Sequence, residues 1–179
     1  MACSGGLRGL KRIDLESFPH KLKVRKTQLI VDGRRAEFNG LFAASRIEYG
    51  QPICWYTKNT GDMCIMRDSV RMYDVACDAA GKAVVDGTPE FVKKGVAFVS
   101  GKKKVGGYAN SANIKRENNA RLKDVTLLYN TERNNIRFLI LVCNARDGIE
   151  ENGEILWDYG PSYKMMTTLE DMVYNYGSN

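Results

Sequence analysis

The chain has one histidine, His20, among 179 residues, and that scarcity removes His-dependent triads and His-rich metal sites from its chemistry. Proton handling must fall to tyrosine, carboxylate, lysine, thiol or water. Its five cysteines, Cys3, Cys54, Cys64, Cys77 and Cys143, form no CxxC or CxC pair, so neither a zinc cluster nor a disulfide framework is expected, and reduced intracellular thiols are. No apolar run is long enough to span a bilayer, and MACSGGLRGLKR lacks the apolar core of a secretory signal. The expectation is a soluble intracellular protein, nuclear or cytoplasmic, with no membrane and no metal. No internal repeat or low-complexity tract interrupts the chain.

What is there in quantity is positive charge. A net charge of +6 suits an acidic neighbour such as nucleosomal DNA or RNA, although Gly101-Lys102-Lys103-Lys104, with no interleaved aromatics, is equally a solvated turn. With 44% hydrophobic residues the length supports one core and one main domain, after a loose lead-in over residues 1–24.

Along the chain, short apolar runs between turn signals predict a mostly β protein with short helices. Strands are expected at Thr27 to Val31, Leu41 to Ala44, Ile53 to Tyr56, Tyr73 to Ala76, Ala83 to Val85, Val125 to Tyr129 and Ile136 to Val142, with Val96 to Val99 a further apolar run. Gly33 and the Asn39-Gly40 pair mark turns. The spacing of Met63, Ile65, Met66 and Val70 predicts a short amphipathic helix capped by Asp62, and Thr88-Pro89-Glu90 a brief helical turn. Thr168-Leu169-Glu170-Asp171 is a capping-box pattern opening a carboxy-terminal helix over 164–179. Gly106 to Leu122 carries Asn110, Asn113, Asn118 and Asn119 with little apolar content, either a long surface loop or a place where amides satisfy polar groups as chain segments cross.

NARDGIEENGEILWDYG, residues 144 to 160, is the most informative stretch. After the turn Glu151-Asn152-Gly153, the apolar run Ile155-Leu156-Trp157 stops at Asp158, Tyr159 and Gly160, so a short strand ends in a phenol next to a glycine. On its own that tyrosine is either a core residue or a hydroxyl placed in a cleft.

Four segments in order resemble the SET domain of protein lysine methyltransferases: NGLFAASRIEYGQPI, CWYTKN, YANSA…NNA and ARDGIEENGEILWDYG, the last being the most specific. YDVACDAAGKAVVDG resembles a variable hairpin that ends in an aspartate in many members. The resemblance covers roughly Thr27 to Tyr163 and implies a SET-domain fold of small β-sheets over 25–163 with a C-terminal pseudoknot, in which Asn119 braces a crossing. It also implies S-adenosylmethionine as cofactor, held by Asn39, Gly40, Leu41, Asn110 and Ser111, with Tyr163 as a cover. Tyr159 and Tyr56 would be catalytic, and Tyr56, Trp157 and Tyr108 would line a channel for the lysine of a protein or peptide such as a histone tail. Ser111 and Ala112 stand where the family usually has histidine and cysteine, and no cysteine triad follows Tyr159, so a non-catalytic SET-like peptide-binding module is the alternative. A basic nucleic-acid-binding domain comes third.

Overall fold

The computed structural model describes residues 14–31, 33–69, 71–78, 80–112, 117–129 and 135–159. Among these the architecture is mostly β, in three small antiparallel sheets with 3-10 turns that include Gly106–Tyr108 and Thr126–Tyr129. β1 (Leu22–Val31) and β2 (Arg34–Ala43) form a long hairpin in unbroken register from Leu22 opposite Ala43 to Val31 opposite Arg34. Gly33, at φ +75°, takes the left-handed conformation that the tight connection demands. The Asn39-Gly40 pair is therefore no turn: it lies inside β2, opposite Lys26 and Arg25.

The second sheet orders β3 (Pro52–Trp55), β9 (Leu139–Cys143) and β7 (Ala120–Asp124). β9 is central and buried along its whole length, which its unbroken LILVC sequence anticipates. Its two faces feed different clusters. Leu139, Leu141 and Cys143 join the main core with Leu41, Ile53 and Ile155, whereas Ile140 and Val142 join Phe18, Trp55, Val125 and Phe138. Phe18 is only 2% exposed and its ring lies 5.6 Å from that of Trp55, so the lead-in expected to be loose is anchored in core from at least this residue, and β1 starts at Leu22 rather than Thr27.

The third sheet orders β5 (Asp74–Ala76), β6 (Ala83–Asp86), β4 (Asp62–Met66) and β8 (Ile136–Arg137). β4 replaces the helix expected over Met63 to Val70. Ladders to β6 on one edge and β8 on the other satisfy its backbone, and the Asp62 carboxylate accepts from Lys58 N–H and Lys104 Nζ instead of capping a helix. Thr88 to Glu90 forms no helical turn, and the strand expected from Val125 to Tyr129 is a 3-10 turn over Thr126–Tyr129, preceded by the unexpected β7. The small sheet also brings Cys64 and Cys77 to a Cα separation of 6.6 Å, where they are joined as a disulfide. This corrects the expectation of reduced thiols for that pair: β4 and the end of β5 flank the same strand, β6, a proximity invisible in spacing. Cys54 and Cys143 are free and buried. The helix expected over 164–179 lies outside the described residues.

The run from Glu154 to Trp157 is clasped between β2 and the stretch from Asn110 to Ala120. Ile155 N–H donates to Leu41 O at 2.8 Å, Trp157 N–H to Asn110 O at 3.0 Å, and Asn119 and Ala120 N–H both to Leu156 O at 2.9 Å. The Asn119 carboxamide ties the crossing twice, donating to Glu154 O at 2.8 Å and accepting from Leu156 N–H at 2.9 Å. One amide thus satisfies a donor and an acceptor of a run held by isolated bridges, and the short strand expected over Ile155 to Trp157 is not formed as a ladder.

Candidate functional site

The clasp fixes the last described residues. Trp157 is 6% exposed and stands between two tyrosines, its ring centroid 5.5 Å from that of Tyr56 and 4.8 Å from that of Tyr159, both in edge-to-face contact. Tyr159 donates its hydroxyl proton to Ala109 O at 2.8 Å, and Tyr56 donates to Tyr73 O at 3.0 Å. A phenol whose proton is committed to a carbonyl offers lone pairs to any further donor, which suits it to orient an amine.

Tyr56 and the distant Trp157 and Tyr159 line one cavity of about 290 Å³. Most of its remaining wall comes from around the β5–β6 hairpin and includes Tyr73, Asp74 and Val84, and Leu122 of β7 completes it. Backbone placed by glycines packs against Tyr56: a Cβ on Gly87 would collide with the Tyr56 ring, and one on Gly106 would sit 2.9 Å from its Cδ2. Sequence reading missed both glycines, and only the small residues flanking Asp86 and Tyr108 hinted at close approach.

Asp74 is a further residue that sequence reading did not single out. Its side chain is fully buried, and Oδ2 takes both described partners, the Arg71 N–H at 2.8 Å and Arg67 Nε at 2.9 Å. Oδ1 has no hydrogen-bond partner among the described residues. Burial pushes the carboxyl above its ordinary range, against the pull of Arg71 and Arg67. Arg67 also pairs with Asp86 at 3.1 Å, and Lys104 Nζ reaches Asp62 Oδ2 and Asp86 O, each at 2.7 Å. Burial also acts on Asp86, but Thr88 bonds and the charges of Lys104 and Arg67 bring its carboxyl below the usual value. An acid within a three-residue strand, seven residues after an arginine, was the only available signal for Asp74.

The residues proposed to hold the cofactor meet on another side of the clasp. Asn110, 6% exposed, spends its amide nitrogen on Asn39 O at 3.1 Å and Glu154 Oε1 at 3.2 Å, leaving Oδ1 as its remaining acceptor. Leu41 O already accepts from Ile155, and Ser111 is buried beside Asn110. Thr27 Oγ donates to Glu154 Oε2 at 2.9 Å, and a Cβ on Gly40 would lie 2.7 Å from Glu154 Oε1. Glu154, not anticipated from sequence, is the hub of this junction. The donor set fits S-adenosylmethionine: its ammonium and sulfonium are cationic, and Asn110 Oδ1, the Asn39 carbonyl and the Glu154 carboxylate are all acceptors.

Tyr108 stands outside the cavity lining. Its hydroxyl donates to Glu90 O at 3.0 Å and accepts from Val92 N–H at 3.3 Å, and burial raises its pKa. Tyr163 lies outside the described residues.

No family model matches the chain, and no curated protein does. Among solved structures, a chain from "ctPRC2 in an autoinhibited conformation bound to S-adenosylmethionine" is 19% identical over 89% of this chain, with a TM-score of 0.49. This chain spans 17% of that one's length, and the likeness is too loose to assign a family.

Proposed function

We propose that the chain is an S-adenosylmethionine-dependent protein lysine methyltransferase of the SET type. The observation that carries this reading is the convergence of Tyr56, Trp157 and Tyr159 on one cavity, with Asn39, Gly40 and Asn110 gathered across the same clasp. Bound S-adenosylmethionine supplies an electrophilic methyl group on a positively charged sulfur. The chain's own part is to deliver an uncharged lysine amine in line with that methyl group. Tyr159 and Tyr56 present hydroxyl oxygens that orient the amine, while desolvation between aromatic rings lowers the pKa of an entering lysine. Asn39, Gly40, Leu41, Asn110 and Ser111 would hold the methionine and adenine portions, Asn110 through Oδ1. Trp157 narrows the cavity and limits how many methyl groups fit. The proposed substrate is a histone tail or another lysine-rich protein, met inside the cell with nuclear placement favoured, and the net charge of +6 would assist docking on nucleosomal DNA.

Incorporation of labelled methyl groups into histones or a lysine-rich extract tests the proposal. The rival, a binding module without catalysis, is motivated by Ser111-Ala112, and calorimetry separates them. The enzyme binds S-adenosylmethionine and loses affinity in Asn110→Ala, whereas a module that has lost its cofactor shows no heat of binding.

A further inference from the structure

β1 pairs on one edge with β2 and is bridged on the other at Leu22, which exchanges backbone hydrogen bonds of 2.7 and 2.8 Å with Val99. Alternate residues of a strand share a face, so Lys21, Lys23 and Arg25 project to one side, with Phe42 and Phe98 flanking Lys23. The Phe98 ring is 43% exposed, with Lys21 Nζ 5.2 Å and Lys23 Nζ 5.8 Å from its centroid, and the Arg25 guanidinium lies 3.9 Å from that of Phe42. Asn152, in a left-handed conformation at φ +64°, holds two of these cations. Lys23 Nζ donates to its Oδ1 at 2.8 Å and Arg25 Nη2 to its carbonyl at 3.1 Å, and both acceptors are uncharged. Glu154 reaches this face at Thr27, but its two oxygens are engaged by Thr27 and Asn110. Among the described residues none of the three cations forms an ion pair, whereas Lys26, on the opposite face, pairs with Glu37 at 3.8 Å. Three uncompensated cations thus stand in a row beside an exposed ring.

We propose that this face of β1 is a docking surface for single-stranded nucleic acid, with Lys21, Lys23 and Arg25 on successive phosphates and a base stacked on Phe98. Side chains two residues apart on a strand stand ~6.6 Å from one another, close to the separation of neighbouring phosphates in an extended single strand. A row of cations tracks the backbone, and an aromatic ring takes an unpaired base whatever its identity. A duplex keeps its base faces stacked inside, and an acidic peptide has none to offer. A base arriving on Phe98 draws the Lys21 and Lys23 ammoniums off the ring and onto the flanking phosphates. The surface uses none of the residues that line the cavity and needs no methyl donor, so it stands independently of the proposed transfer reaction.

Fluorescence anisotropy of a labelled oligouridylate, about 12 nucleotides long, titrated with the full chain over a salt series tests the proposal. The wild-type chain should bind it more tightly than a duplex of the same length or polyglutamate, with affinity falling as salt rises. The triple variant Lys21→Ala/Lys23→Ala/Arg25→Ala should bind about tenfold more weakly or worse and flatten the slope of log affinity against log salt by about 2, from three contacts at ~0.7 each. Phe98→Ala should cost about fivefold or more and leave that slope unchanged. Lys26→Ala/Lys58→Ala/Lys82→Ala removes the same charge from exposed positions elsewhere and should weaken binding far less. No binding, equal losses in the two triple variants, or equal or tighter binding of the duplex or of polyglutamate overturns the surface. Unchanged affinity in Phe98→Ala overturns the stacking. Should the first triple variant fail to fold, Phe98→Ala and the wild-type preference among the three probes decide. Absent methyl transfer with oligouridylate binding intact would count against the transfer reaction and not against this surface.

Discussion

Tyr56 shows how strongly a single glycine can govern a site. The Gly87 position is so close to the Tyr56 ring that any side chain there must displace it. Gly87→Ala is therefore expected to widen or distort the cavity and cut methyl transfer by about tenfold or more while the chain stays folded, as judged by circular dichroism beside the activity assay. Asp86 and Asp74 make a second residue-scale prediction, because their pKa shifts have opposite signs. The Asp86 carboxyl is depressed, so its stabilisation is present above the ordinary carboxylate value of 3.8 and lost as pH falls through its folded value. Urea midpoints should show Asp86→Asn less stable than wild type at pH 7, with the gap closing below pH 3.8. Asp74, raised by burial, works the other way and favours the folded state less as pH climbs past its ordinary value.

At the scale of elements the clasp is the structure's critical joint. Asn119→Ala removes both bonds of the carboxamide and strands Glu154 O and Leu156 N–H, an expected loss of about 1–3 kcal/mol in denaturant unfolding. The Cys64–Cys77 link ties β4 to the end of β5, and β5 forms part of the cavity wall. Replacing both cysteines by serine should lower stability by about 2–4 kcal/mol, read as a fall in Tm under non-reducing conditions. Much of this scale was legible beforehand. The strand at Ile53 and the apolar run Ile155-Leu156-Trp157, which isolated bridges hold in place of the expected strand, follow from apolar runs, and the crossing braced by Asn119 was implied by the resemblance. β4 was not legible: Met63, Ile65 and Met66 are all exposed, so their apolar spacing mimicked an amphipathic helix while the two-sided ladder that made them a strand lay far away in sequence. Asn39-Gly40 misled for a related reason. A pair that favours turns was overruled by ten residues of continuous pairing, and Gly40 is needed there for the approach of Glu154. The disulfide and the Asp74 network depend wholly on tertiary proximity, which spacing does not encode.

Across the whole molecule, distant segments converge: Tyr56 follows β3, Asp74 opens β5, Asn110 lies in the irregular stretch before β7, and Trp157 and Tyr159 lie beyond β9. The net charge of +6 predicts that transfer to nucleosomes exceeds transfer to free histones at low salt and that the advantage falls as salt rises; equal rates on both at low salt would contradict DNA-assisted docking. The central claim is catalytic. Mass spectrometry of histones and lysine-rich peptides incubated with S-adenosylmethionine should show methyl groups on lysine with the wild-type chain and about a hundredfold less with Tyr159→Phe. No methylation of any of these substrates, or equal methylation by the two proteins, would contradict the account.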